Sequence, residues 1–288
     1  MTVSYKAEDM LIKNAAGSTA AIYLERIIQM ILAAENYYSR EANEAYMSVS
    51  QFKSFERCEA AAMAELRGEY VRQKTTALLV GSYVDAYFEG TLPVFKGQHP
   101  EIFKRDGSLK ANYTKAEQII QRCESDPLFM EYMSGQKQVI KTAELFGTPW
   151  KIKIDSYLPG DKIVDLKCMR SIEPVMGVSF VEHWEYDLQM AVYSAVEGNG
   201  LETYLAVATK EDVPNLELIH IPKWRRDECL ENVQKLLPHF LDVKAGKAEP
   251  ERCGICDYCK ATKKLTGPID YQEAGYSKKE LDAMKGVY

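Results

Sequence analysis

The chain has 288 residues and a formal net charge of −6, from 36 basic and 42 acidic residues, and 46% of it is hydrophobic. That length suits one large domain or two small ones, and burial of roughly 75% of the unfolded surface lets it fold without staples. The acidic balance excludes a generally basic nucleic-acid binder, but not an enzyme that confines its cations to one groove around a carboxylate floor. No apolar run reaches the about 18 residues of a membrane span. The longest uncharged N-terminal window, Asn14–Leu24, lacks the basic flank and apolar centre of a secretory signal. The expectation is a cytoplasmic protein with no membrane partner, whose seven cysteines are thiols or metal ligands rather than disulfides.

Residues 1–45 read as an N-terminal extension, with helical apolar spacing over Ser18–Ala34 and no concentration of chemistry. Helices are predicted over Ser48–Tyr70, capped by Ser48 or Ser50, and over Thr75–Phe88. Gly90–Thr114 reads as loop from its glycines and prolines, and Ala116–Gln136 as a helix broken near Pro127. Lys137–Leu145, Trp150–Leu158 and Lys162–Met169 read as strands, the last two joined by the turn Pro159-Gly160-Asp161. A helix over Trp184–Val196, strands over Leu201–Thr209 and Asn215–Ile221, and a helix over Asp227–Lys244 follow. A cysteine cluster and a polar tail, 271–288, complete the chain. Helices, mostly antiparallel strands and further helices predict a mixed α/β core with a helical arm.

The richest chemistry lies in the hairpin from Trp150 to Lys167. Strand alternation puts Lys151, Lys153 and Asp155 on one face, with Ile152 and Ile154 on the other. Asp165 and Lys167 share a face, while Val164 and Leu166 point away. A turn about Gly160 sets Asp155 opposite Asp165 or its neighbour, with Cβ atoms ~5 Å apart. Two carboxylates held that close repel. A divalent cation removes the conflict, and oxygen donors suit Mg²⁺ or Mn²⁺. Lys167 then stands beside the ion, where an ammonium can orient a water and balance phosphate charge.

Asp155 followed by Asp165-Leu166-Lys167 resembles the core of the PD-(D/E)xK nucleases. Gly81-Ser-Tyr-Val-Asp85 resembles the helical G-x-x-x-H motif of their helicase–nuclease branch, with Asp85 where that branch usually has His. Gln189-Met-Ala-Val-Tyr193 resembles the Q-x-x-x-Y motif that follows the core, and its i, i+4 spacing puts both side chains on one helix face. The resemblance runs from about Ser48 to Lys264 and is strongest to exodeoxyribonuclease VIII-like proteins of phage and prophage recombination. It implies a restriction-endonuclease-like α/β core, a mixed central sheet flanked by helices, with helical N-terminal and C-terminal arms. It implies that Asp155, Asp165, the carbonyl of Leu166, Asp85 and Glu144 hold Mg²⁺ or Mn²⁺, and that Gln189 and Tyr193 line the site. The domain so implied covers 46–270.

Cys253-Gly-Ile-Cys256-Asp-Tyr-Cys259 has C-x₂-C-x₂-C spacing, a strong signal for a metal. Cys58 is the candidate fourth ligand. Relatives of the helicase–nuclease and spacer-acquisition kind place one cysteine before the core and three after it around a [4Fe–4S] cluster; the resemblance implies that cluster here, with zinc as the alternative. Cys123, Cys168 and Cys229 are isolated, and the four histidines show no ligand spacing. Lys137, Lys141, Lys151, Lys153, Arg225, Arg226, Lys260, Lys263 and Lys264 are candidate phosphate contacts.

These features predict a metal-dependent deoxyribonuclease. The resemblance implies 5′-to-3′ digestion of linear double-stranded DNA, leaving a 3′ strand for a single-strand annealing recombinase. An endonuclease or an exonuclease of opposite polarity is one alternative. A non-catalytic, cluster-stabilised DNA-binding scaffold is another, and cluster redox chemistry a third. A ring-shaped homo-oligomer would go with processive digestion.

Overall fold

The computed structural model describes residues 32–73 and 75–285. The helix expected over Ser18–Ala34 lies, apart from its last three residues, outside them. Helices come first: α1 (Arg40–Ala45), α2 (Val49–Arg57), α3 (Glu59–Arg67), α4 (Thr76–Phe88), α5 (Leu92–Gln98), α6 (Ala111–Glu124) and α7 (Pro127–Tyr132). Strands β1 (Val139–Leu145), β2 (Thr148–Ile154), β3 (Ser156–Leu158) and β4 (Lys162–Met169) follow. Then come α8 (Phe180–His183), α9 (Tyr186–Glu197), β5 (Glu202–Thr209), β6 (Leu216–Ile221) and α10 (Lys223–Lys244). The C-terminal arm carries α11 (Asp257–Ala261) and α12 (Lys278–Met284).

Side-chain oxygens start several of these helices. Ser48 accepts from the N–H of Gln51 at α2, and Thr75 from that of Leu78 at α4, each satisfying a donor the helix cannot. The single helix expected over Ser48–Tyr70 is two helices. Cys58 is extended between them, at φ −169° and ψ 104°. Cysteine is no helix breaker; the turn is imposed by contact with Cys259, 3.6 Å from sulfur to sulfur. The loop expected over Gly90–Thr114 contains α5, a 3₁₀ turn at Pro100–Ile102 and the first turn of α6. Pro93 and Pro100 fall in the first turns of these elements, where proline starts a helix rather than stopping one.

The strand expected over Trp150–Leu158 is split at Asp155. Its first part, β2, pairs antiparallel with β1, and its second part, β3, pairs antiparallel with β4. The result is a two-stranded ribbon beside a four-stranded sheet of order β3-β4-β5-β6. The pairs are mostly antiparallel, as expected, but β4 and β5 run parallel, with α9 in the connection between them. Alternation sorts the sheet into two faces. Ile163, Leu205 and Val207 join Phe52, Phe55, Trp150, Val192 and Leu237 in one core. Val164, Leu166, Ala206 and Ala208 join Tyr83, Val84, Ile119 and Ile120 in the other. Phe240 of α10 clamps α2 through Phe52 and Phe55, with ring centroids 5.2 and 5.6 Å away. Truncating such a ring costs roughly 3–5 kcal/mol. Among the described residues no helix is long and apolar enough to cross a membrane.

Two features hold the bend at Asp155. Gly135 lies against β3 so closely that a Cβ there would sit 2.6 Å from the carbonyl oxygen of Tyr157. Beside it, the buried carboxylate of Glu197 accepts from Tyr157 Oη at 2.8 Å, from Lys141 Nζ at 2.9 Å and from the backbone and side chain of Asn199. This network ties β1, β3 and the end of α9 together. Burial pushes the Glu197 carboxyl up, but the hydrogen bonds from Asn199, Lys141 and Tyr157 win and bring it from 4.5 to about 2. A carboxyl lowered on folding contributes stability that is present above pH 4.5 and lost as pH falls toward 2. Wild-type denaturation midpoints are therefore expected to drop more steeply between pH 4.5 and 2 than those of Glu197→Gln. Parallel pH profiles would contradict this role.

Candidate active site

Extending the β3–β4 register by one step from Ser156 opposite Val164 brings Asp155 opposite Asp165. Asp155 Oδ1 accepts from Gln138 Nε2 and Oδ2 from the Leu166 N–H, each at 3.0 Å. Asp165 is 2% exposed. Its Oδ1 accepts from Gln189 Nε2 at 2.7 Å, and its buried Oδ2 meets the Lys167 ammonium as an ion pair. Lys167 in turn lies over the Tyr186 ring, 4.7 Å from its centroid. Asp85, from the third turn of α4, and Tyr193, one turn beyond Gln189 on α9, line the same cleft.

The electrostatics follow from burial. The Asp155 carboxyl is held well above its ordinary value, first by desolvation and then by Asp165 and Asp85. Asp85 is pushed up by burial to about 7, with Lys167 opposing and Asp165 adding to the shift. Burial alone would lower the Lys167 ammonium, but Asp165 and Asp155 hold it above its usual range. These carboxylates raise one another, and Lys167 opposes the shift at Asp155 and at Asp85. All-oxygen donors, burial and carboxylates that raise one another fit a hard divalent cation such as Mg²⁺ or Mn²⁺.

The cleft, of about 470 Å³, is also lined by Lys53, Arg57, Arg72, Lys151 and Lys153. The chain is acidic overall, yet its carboxylate cluster sits within a cationic rim. Sequence reasoning missed Lys53 and Arg57. Their signal was the polar stripe Ser50, Lys53, Ser54 and Arg57 on α2, opposite the buried Val49, Phe52 and Phe55. It also missed Gln138, which steadies Asp155 from a left-handed backbone at φ 54°, and the pair Tyr37 and Tyr38, which lines the cleft from within the N-terminal extension.

Other expected residues stand elsewhere. Glu144 is exposed and pairs with Pro149, five residues along β1 from the end of the ribbon next to Asp155; it does not join the carboxylates. Leu166 contributes its N–H to Asp155 while its side chain packs into the second core. Several candidate phosphate contacts are engaged inside the protein. Lys141 serves Glu197, Lys137 bonds the carbonyl of Met133, and Arg225 pairs with Asp187, Glu182 and Glu228. Arg226 is buried, donating to the carbonyl of Leu201 at 2.7 Å. Lys151 is 1% exposed and bonds the Tyr37 carbonyl and Asn43.

The second centre is the cysteine cluster. Sulfur atoms of Cys58, Cys253, Cys256 and Cys259 all lie within 4.8 Å of one another. Gly254, at φ 83°, lets the backbone turn so that the Cys256 N–H meets Cys253 Sγ. Against the upward push of burial, the N–H groups of Cys256 and Ile255 bring the Cys253 thiol down to about 7. That makes thiolate available at neutral pH. Cys58–Cys259 and Cys253–Cys259 separations of 3.6 and 3.9 Å match the edge of a ZnS₄ tetrahedron, about 3.8 Å for Zn–S bonds of about 2.3 Å. Cys123, Cys168 and Cys229 are separate, and burial pushes each thiol up to about 12.

If Asp85 is a ligand and not a packed helix residue, Asp85→Asn relieves repulsion in metal-free protein and removes a donor. Its melting temperature without divalent ions is expected to rise by a few degrees, and the further rise that 10 mM Mg²⁺ gives wild type to shrink. An undiminished Mg²⁺ shift would exclude Asp85 from the ion's shell.

The sequence profile of a PDDEXK-like domain of unknown function, DUF3799, matches residues 48–262. The fold is similar to the crystal structure of a protein from Eubacterium rectale named as a candidate exonuclease, with 48% identity and a TM-score of 0.81 over 85% of this chain and 99% of that one. A second solved structure, of SSO0001, covers 66% of this chain and 86% of its own at 14% identity, and its TM-score of 0.26 carries no argument. No curated protein matches the chain.

Proposed function

The chain belongs to the PDDEXK-like family, and on that premise we propose that it is a divalent-metal-dependent deoxyribonuclease that degrades linear double-stranded DNA from its ends. The observation that carries this reading is the pairing of Asp155 with Asp165 beside Lys167, inside a cleft whose rim is cationic. The similarity to a protein named as a candidate exonuclease supports digestion from an end. The 5′-to-3′ polarity, the annealing-protein partner and a role in phage-type recombination rest on the resemblance of the motifs alone.

Asp155 and Asp165, joined by Asp85, would hold Mg²⁺ or Mn²⁺. When bound, such an ion supplies a more acidic water and takes up charge on the phosphate. The chain's own residues do the positioning. The Leu166 N–H and Gln138 fix the rotamer of Asp155, and Gln189 fixes that of Asp165. Lys167, charged because two carboxylates hold its proton, donates to the attacked phosphate and orients the attacking water. Tyr193 walls the site. Lys153 would hold a flanking phosphate, joined by the half-exposed Arg57 and Arg72 if they leave Glu185 and Glu65, and salt weakens that grip.

Lys167→Ala is expected to lower turnover of end-labelled linear duplex in Mg²⁺ by roughly 100-fold or more, with an unchanged circular dichroism spectrum. The strand whose label is lost first from wild type reports polarity. Near-normal turnover by the variant would remove Lys167 from the chemistry. Cleavage of covalently closed circles at the rate of linear DNA would replace the exonuclease by an endonuclease.

The four thiolates would hold one structural metal centre joining α2, α3 and the C-terminal arm. Their spacing favours a single tetrahedral ion, zinc, over the [4Fe–4S] cluster, whose thiolates sit on separate irons and so farther apart. Metal analysis of anaerobically purified protein is expected to find one zinc per chain. Iron with sulfide and a broad absorbance near 400 nm would assign the cluster instead.

A further inference from the structure

The carboxylate cleft has a neighbour. A second cleft, also of about 470 Å³, lies between α4 and α5, and Tyr38 and Asp85 are the two residues that line both. Its walls include Leu79, Val94 and Phe95, with Ser82 and Gln98 as polar groups. The volume suits one small ligand.

Tyr38 stands at the junction, 69% exposed, yet its ring is held. It packs edge-on against the buried Tyr37, with centroids 4.9 Å apart and planes at 84°. Lys153 Nζ lies 4.9 Å from its centroid. The segment below is fastened by two amines. Lys151 bonds the Tyr37 carbonyl and Asn43, and Lys244 bonds the carbonyls of Asn43 and Tyr46 at 2.8 and 3.1 Å. Holding the buried Lys151 amine and the half-buried Lys244 amine on backbone carbonyls is costly. A loose extension gives no reason for that arrangement; a fixed aromatic face at the cleft mouth does.

The charges on the two sides differ. The first cleft offers Arg57, Arg72 and Lys153 to phosphates, whereas the second, which shares Asp85 with it, adds Glu89 and His99 and is lined by no Lys or Arg. A phosphodiester backbone is drawn to the first and repelled by the second. An uncharged base is not repelled, and it gains from an aromatic face.

We propose that Tyr38 is a base-stacking platform: the strand's phosphates follow the cationic cleft, and one unpaired nucleobase next to the scissile phosphate rests on Tyr38 in the adjoining cleft. This deepens the nuclease reading and rests on it. The site then takes a frayed or single-stranded end, and Tyr38 sets affinity for that end while leaving the reacting groups untouched.

The test has two arms. In the first, linear duplex with a frayed end is degraded by wild type, Tyr38→Ala, Tyr38→Phe and Tyr38→Trp. Loss of one stacked base is expected to raise KM roughly 10-fold in Tyr38→Ala, with kcat within a factor of about three and near-wild-type KM for both aromatic variants. In the second, 2-aminopurine occupies the terminal nucleotide, and the cleavage-deficient Lys167→Ala protein binds it in Mg²⁺. Its fluorescence is expected to fall on binding, and to stay high with Lys167→Ala/Tyr38→Ala. A KM and a fluorescence change indifferent to the loss of the ring, in proteins of unchanged melting temperature, would overturn the platform. If Tyr38→Ala unfolds, the aromatic pair decides: a KM raised equally by Phe and Trp would also overturn it. Failure of wild type to degrade any DNA would strike the nuclease reading itself, and is read in the first lane.

Discussion

Two carboxylates, Asp155 and Asp165, are held opposite each other on neighbouring strands at the bottom of a cleft, and much of the fold serves to keep them there. Burial, and then repulsion by Asp165, hold the Asp155 carboxyl well above its ordinary range. The chain opposes that repulsion by pinning each group. Gln138 and the Leu166 N–H hold Asp155, Gln189 holds Asp165, and Lys167 neutralises part of the pair. The split of the long strand at Asp155, the close approach of Gly135 and the Glu197 network all act on the same bend. Like charges buried together point to a cation that relieves them.

The two cores explain why the site is rigid. The sheet that carries Asp165 and Lys167 is covered on one face by α2, α9 and α10 and on the other by α4 and α6. Each covering helix that borders the cleft lines it with a polar side chain. Asp85 comes from α4, Gln189 and Tyr193 from α9, and Lys53 and Arg57 from α2. The cysteine centre sits at the far end of α2, because Cys58 is both the cap of that helix and the partner of Cys259. A metal held by these thiolates would brace the wall that carries Lys53 and Arg57. One helix thus links the cysteine cluster to the carboxylate cleft, one soft and one hard in its donor atoms.

Much of this was legible in the sequence. The facing of Asp155 and Asp165 followed from strand alternation and one tight turn, and the shared face of Gln189 and Tyr193 from helical spacing. Motif resemblance pointed to Asp85, which lines the cleft, and to Cys58, which stands with the other three cysteines. What was not legible depended on contacts distant in sequence. Nothing local in Phe55-Glu56-Arg57-Cys58-Glu59 marks a helix break; the break exists because Cys259 is there. Prolines at 93 and 100 read as loop, but they began helical turns. Glu144 sat on the expected strand yet at its wrong end, since the register of the ribbon is set by its Phe146-Gly147 turn and not by the site. Tyr37 and Tyr38 carried no motif at all, and the buried Lys151 and half-buried Lys244 that fasten their segment are distant in sequence.

The central claim is that the Asp155–Asp165 pair exists to bind a divalent cation. Calorimetric titration of Mn²⁺ into metal-free wild type, Asp155→Ala and Asp165→Ala, each with its cysteine centre intact, tests it most directly. The account predicts saturable binding by wild type, and a signal in both variants no larger than the heat of dilution over the same range. Equal binding by all three proteins would contradict it and leave the facing carboxylates without an explanation.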